Sequence, residues 1–230
     1  MREVVTRSWR AVNDEAMSTC GTREAASEVR AADVRYRALL GEAAWSALSE
    51  PVRKRFSKPV SSGDLTLYRG RVTITELSFA GRVLASLAAV IGAPLPALDG
   101  ASGPASVTVI EDPGLGGQSW TRIYPRPRGF PQVVHSAKRF RGPTGLEEYV
   151  GAGIGMTLTL HVERGALVFR SERYFVEFAG LRLLIPRSLE PGRMEIVHTQ
   201  IEGRRFSFRL TLVHPLFGRL VHQIAIFEEV

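Results

Sequence analysis

The sequence predicts an α+β fold that is mostly β. The expected architecture is a curved antiparallel meander sheet or half-barrel of about eight to ten strands, packed around one amphipathic helix, with short N-terminal helices. Three observations predict it. From Ala105 onward, short stretches of alternating apolar and polar residues follow one another, broken by Gly- and Pro-rich turns. Only one stretch, Val83–Ile91, shows a strong helical stripe. No strand–helix–strand alternation and no G-x-G-x-x-G appears, which argues against a dinucleotide-binding fold within this chain.

The elements follow in order. Residues 1–30 are weakly patterned and read as an N-terminal tail or short helices; residues 31–230 read as a single β-rich domain. Val34–Leu40 and Glu50–Phe56 are expected helices, the second introduced by Ser49 and Pro51. Trp45 reads as a core anchor. Ser61–Asp64 is a turn into a long strand or hairpin over Leu65–Phe79. Val83, Leu84, Leu87, Val90 and Ile91 then line one side of a helix, stopped by Gly92 and Pro94. If that stripe packs on the sheet, Leu87→Asp should badly destabilise the domain.

Strands follow at about Val107–Glu111, Gln118–Tyr124, Gln132–Phe140, 154–163, Ala166–Phe178, Leu181–Ile185, Met194–Ile201, Phe206–Val213 and Leu220–Phe227. Alternation puts Trp120, Arg122 and Tyr124 on one face of their strand, and Met156, Leu158, Leu160 and Val162 on one face of theirs. The Arg164-Gly165 turn between two such strands marks a hairpin. So many successive strands tend to curl or close, because an open sheet leaves its edges unpaired.

The chain carries 30 basic and 23 acidic residues, a net charge of +7. Twenty-seven of the basic residues are arginines; the lysines are Lys54, Lys58 and Lys138. The arginines are scattered through the strand-like segments, where their stems can cover apolar surface. With no helix-turn-helix, finger or aromatic RNA-binding signature, no nucleic-acid partner is expected. The single cysteine, Cys20, excludes an internal disulfide and a cysteine-cluster metal site. No transmembrane segment and no signal peptide is visible, so a cytoplasmic location is expected.

The segment Gly129–Gly151 holds the densest set of chemically capable residues. His135, Lys138, Arg139, Glu147 and Glu148 flank a Gly142-Pro143-Thr144-Gly145 turn. They could hold an acidic group and move protons, or simply form a salt-bridged turn. Strand parity separates His135 and Arg139 from Lys138. Elsewhere, His198 shares a face with Met194, Ile196 and Gln200, and His222 is expected beside Leu220, Ile224 and Ile226. Such histidines are either satisfied core residues or the lining of a cavity. The spacing of the five histidines fits no local zinc motif, so no metal and no cofactor is expected.

The segments GFPQVVHSAKRFRGPTGLEEYVGAGIGM, GALVFRSERYF, PRSLEPG and HPLFGRLVHQ together make the chain resemble the bacterial family of domains of unknown function numbered 4166, over about residues 35 to 230. The resemblance carries no activity. It implies a possible partner, because some members follow a Rossmann-type domain resembling saccharopine dehydrogenases.

Three functions remain open. A binding module would hold a hydrophobic or amphipathic small molecule in a cavity lined by Trp120, Tyr124, Tyr174, His198 and His222, with an acidic head near Lys138 or Arg139. An enzyme, or an accessory domain of a Rossmann-type oxidoreductase, would use His135, Glu147 and His198 for acid–base work. A structural or interaction domain would have a solid core. A cavity of a few hundred Å³ separates the first from the third.

Overall fold

In a computed structural model the described residues are 33–58, 65–90, 103–112, 114, 116–126 and 129–230. The expectations for residues 1–30, for Cys20, for the turn at 61–64 and for the helix stop at Gly92 and Pro94 lie outside them.

Among the described residues eleven strands form one antiparallel sheet: β1 (Leu65–Leu77), β2 (Gly103–Asp112), β3 (Gly117–Tyr124), β4 (Gln132–Arg139), β5 (Glu147–Gly151), β6 (Ile154–Glu163), β7 (Ala166–Phe178), β8 (Leu181–Leu184), β9 (Arg193–Gln200), β10 (Arg205–His214) and β11 (Gly218–Glu229). Neighbours pair in sequence order from β1 to β7. β7 then pairs with β9, β9 with β10, β10 with β11, and β11 returns to β1. Ten strands therefore close into a barrel. The expected curved sheet closes fully because β7 carries two partners on its second edge: Leu167–Arg170 bond β9, and Phe175–Phe178 bond the extra strand β8. Closure removes the sheet edges that an open meander would expose.

β5 is a strand that the sequence pattern hides. Its Glu147-Glu148-Tyr149 run pairs with Arg139-Lys138-Ala137 of β4, so two adjacent carboxylates point to opposite faces.

Alternation turns Leu158, Leu167, Phe169, Ile196, Phe208 and Phe227 into the barrel interior. Each such side chain, fully buried, contributes about 1.5–3 kcal/mol. The face of β11 differs from the sequence reading. Val221, Gln223, Ala225 and Phe227 are buried, whereas His222, Ile224 and Ile226 are only partly so. A register shift between Leu212 and Val213 of β10 leaves Leu220 and Val221 buried in succession and sets the parity beyond them.

Three short helices close one end of the barrel: α1 (Arg35–Leu40), α2 (Glu42–Ala47) and α3 (Glu50–Phe56). They bury Tyr36, Trp45, Val52 and Phe56. Tyr36 lies edge-on to Phe56 and Phe169 at 5.2 and 6.2 Å and donates to Gln118 Oε1 at 3.2 Å. The Ser49 amide donates to Gly165 O at 3.0 Å, tying the helices to the β6–β7 turn. The Ser49 hydroxyl makes no capping bond. α2 was not expected, since Gly41 interrupts the apolar pattern.

Helix α4 (Phe79–Val90) leaves β1 at the opposite end. Its buried residues are Gly81 and Ala85; of the predicted stripe Leu84 packs against the core, while Val83, Leu87 and Val90 are exposed. A Cβ on Gly81 would lie 2.0 Å from the Leu220 carbonyl oxygen, so glycine lets the helix backbone settle directly on β11. Leu87 is 62% exposed, which overturns the expectation that Leu87→Asp would bury a charge. Ile91 lies outside the described residues. No described helix is long and apolar enough to cross a membrane.

Candidate functional site

Strand parity places three charged groups inside the barrel. Arg122 of β3, Lys138 of β4 and Glu148 of β5 all face inward, with Ser136 between them. Lys138 Nζ lies 3.2 Å from Glu148 Oε2, and both side chains are 4% exposed. Arg122 Nη1 donates to Ser136 Oγ at 3.1 Å, and Arg122 Nη2 lies 3.9 Å from Glu148 Oε1. Lys138 Nζ also sits 4.9 Å from the Trp120 ring centre. Burial pulls the Glu148 carboxyl upward, but the cations of Lys138 and Arg122 outweigh it and hold the group below its usual value. For Lys138, burial lowers the ammonium and the attraction of Glu148 only partly opposes it. The cluster therefore sets two cations against one carboxylate.

Above this cluster lies a cavity of about 510 Å³ that reaches the α4 end of the barrel. Arg122, Ser136, Glu148 and Gln223 give it polar groups. Tyr124, Met156, Tyr174, Ile196, Phe208 and Leu210 form its walls. Leu84, Leu87 and Val90 of α4 lie at the mouth, across from Ile185, Leu189 and Pro191 between β8 and β9. Burial pushes the Tyr174 hydroxyl up to about 12, so it stays protonated and able to donate.

Of the residues expected to bind, Tyr124 and Tyr174 line this cavity. Lys138 sits behind its polar end, held by Glu148. Trp120 and His198 lie deeper, toward the helix-closed end. His198 is packed by Phe56, Phe169, Phe206 and Phe208, with ring centres 5.1–6.1 Å away, and its Nδ1 has no hydrogen-bond partner. Burial, followed by the charges of Arg55, Lys138 and Arg122, holds His198 well below its ordinary value and so neutral. Arg139 lies on the outer face, its guanidinium 4.1 Å from the Tyr149 ring centre. His222 also points outward, 3.2 Å from Thr211 Oγ1.

The three candidate catalytic residues do not meet. His135 borders the cavity beside Ser136, but it is exposed, and its Nδ1 lies 3.0 Å from Thr121 Oγ1. Glu147 faces outward as well, yet is fully buried under β8. Arg182 grips it with two bonds of 2.6 and 2.7 Å, Tyr149 donates at 3.0 Å and Arg141 at 3.3 Å. Gly142, at φ +81°, makes room: a Cβ there would lie 1.9 Å from Glu147 Oε1. This outer network pins the 142–145 turn, which is the salt-bridged alternative. His198 lies inside, so the wall of the barrel separates it from the other two. Among the described residues, no group of three or more His, Cys, Asp or Glu could hold a metal ion.

Sequence reasoning passed over Arg122, Ser136 and Gln223, and set Glu148 in the charged turn rather than in a cavity. The signal for Arg122 was present, since it alternates with Trp120 and Tyr124. Glu148 needed β5 to be recognised as a strand, because only then does its parity oppose that of Glu147.

The family comparison covers most of this barrel. The chain belongs to the family described as Domain of unknown function (DUF4166), whose model matches residues 48–227. No curated protein matches the chain.

Proposed function

We propose that this member of the family is a binding module whose barrel holds a hydrophobic or amphipathic small molecule. The observation that carries the reading is the cavity of about 510 Å³, apolar along its walls and polar at its inner end. That volume falls within the range of about 300–1,000 Å³ of small-molecule sites, and barrel mouths are a frequent place for them. The same cavity counts against a solid-core interaction domain.

The charge balance supports an acidic head. Glu148 can neutralise only one of Arg122 and Lys138, and an uncompensated buried cation is costly. A carboxylate or similar anion at the inner end would accept from Arg122, and the apolar remainder would run along Met156, Phe208 and Leu210 toward α4. The acidic head expected near Lys138 or Arg139 moves to Arg122 in this reading.

Acid–base catalysis by His135, Glu147 and His198 has no shared space in which to act. A Rossmann-type oxidoreductase, the partner implied by the resemblance, would act on a ligand that the barrel presents.

Titration with a dansyl-labelled fatty acid tests the reading. Wild type should give saturable fluorescence enhancement, and Leu210→Trp, which fills the cavity, should weaken it by about tenfold or more. No saturable enhancement, or equal affinity in the variant, refutes it.

A further inference from the structure

We propose that the α4 end of the barrel docks on an anionic lipid surface and exchanges its ligand there. The exchange part rests on the binding reading above; the docking part does not.

The two ends of the barrel differ in what their connections expose. At the α4 end the β3–β4 connection carries Phe130, the β7–β8 turn Phe178 and Leu181, and the β10–β11 turn Leu216 and Phe217. Phe130, Phe178 and Leu216 are 92%, 81% and 84% exposed. Leu189, between β8 and β9, is also exposed, as are Leu87 and Val90 of α4. At the helix-closed end the β4–β5 connection carries Phe140, partly buried against the core, and the β9–β10 connection carries Ile201, 43% exposed; the described connections there expose no phenylalanine.

Isolated exposed apolar residues are ordinary. Here phenylalanines and leucines sit on several of the connections around one opening, and apolar residues gathered at one end mark an interaction surface.

Charge selects the occupant. Arg126, Arg187, Arg193 and Arg219 are exposed on the same end; Arg193 lies 3.8 Å from Glu172 and Arg219 is paired with Glu76, which leaves Arg126 and Arg187 to carry the positive charge. Of the acidic groups there, Glu76 is paired with Arg219 at 2.7 Å and Glu190 with Arg173 at 3.0 Å. Apolar tips flanked by arginines match a bilayer surface, where the tips enter the acyl boundary and the guanidiniums meet lipid phosphates. The mouth of the cavity, at Leu87, Val90 and Leu189, would then open onto the hydrocarbon, so an apolar ligand need not cross water.

Co-sedimentation of the full chain with phospholipid vesicles tests this. Wild type should sediment with vesicles of phosphatidylcholine mixed with phosphatidylglycerol and less with phosphatidylcholine alone. Binding should weaken as salt rises from about 0.1 M to about 1 M, where the Debye length falls from about 10 Å to about 3 Å. A variant combining F130S, F178S, L216S and F217S should lose about tenfold or more in vesicle affinity while still binding the dansyl fatty acid in solution. Leu210→Trp should sediment like wild type.

Wild type that binds the fatty acid but not the anionic vesicles overturns docking and leaves the cavity reading intact. Wild type that sediments without binding the fatty acid does the reverse. A rim variant that sediments as well as wild type also overturns docking, as does rim-dependent self-association without vesicle binding, which would make the patch an interface between protein copies.

Discussion

Lys138 and Glu148 form a test of how charge is balanced inside the barrel. Their 3.2 Å pair is desolvated on both sides, so removing either partner leaves a buried charge. Breaking such a pair costs about 3–5 kcal/mol. The neighbouring Arg122 orders the two losses. In Lys138→Met, Arg122 Nη2 at 3.9 Å can move onto Glu148, so the expected cost is about 3 kcal/mol. In Glu148→Gln, Arg122 and Lys138 face each other without a carboxylate, so the cost should reach about 5 kcal/mol. The double variant leaves Arg122 with Ser136 alone, so it should still cost a few kcal/mol, yet clearly less than the sum of the two single losses. Urea unfolding followed by circular dichroism measures all four corners, and the coupling should exceed about 3 kcal/mol. Additive losses, or a single variant costing under about 1 kcal/mol, would show that the charges are not desolvated together.

Three further outcomes are expected. Arg122→Leu should weaken a dansyl fatty acid by about 10- to 100-fold, the worth of a hydrogen bond to a charged group, and leave the matching alcohol unchanged; equal losses for both would place the head elsewhere. His198 stays neutral when folded, so below its unfolded value of about 6.5 only the unfolded chain gains a proton. Its contribution is therefore complete above about pH 7 and falls by about 1.4 kcal/mol between pH 7.5 and 5.5. In His198→Phe that part of the pH dependence should vanish, and parallel urea curves for both proteins would refute it. Leu87→Asp should change stability by no more than about 0.5 kcal/mol, as for an exposed site; a loss of several kcal/mol would mean that α4 is packed through Leu87.

Much of the barrel was legible because its strands alternate cleanly. The apolar faces of β3, β6 and β10 and the hairpin at Arg164-Gly165 follow from a period of two residues. Where local composition competes with the period, the reading fails. β5 carries Glu-Glu-Tyr and reads as a charged turn, although its backbone pairs with both β4 and β6. On β11 the apolar isoleucines suggested the inner face, while the register shift against β10 turns Gln223 inward and His222 out.

The sequence by itself determined the class of fold, the order of most elements and the separation of Lys138 from His135 and Arg139. These are local properties, set by side-chain period and turn residues. Only the tertiary structure decided that the sheet closes, through β6 and β9 meeting on β7, since strand pairing between distant segments leaves no local mark. Closure made the cavity. It also chose the partners: Glu148 for Lys138 inside, and Arg182, from 35 residues further along the chain, for Glu147 outside. Which of two adjacent carboxylates faces the site is a question of parity, and parity acquires meaning only once the barrel has an inside.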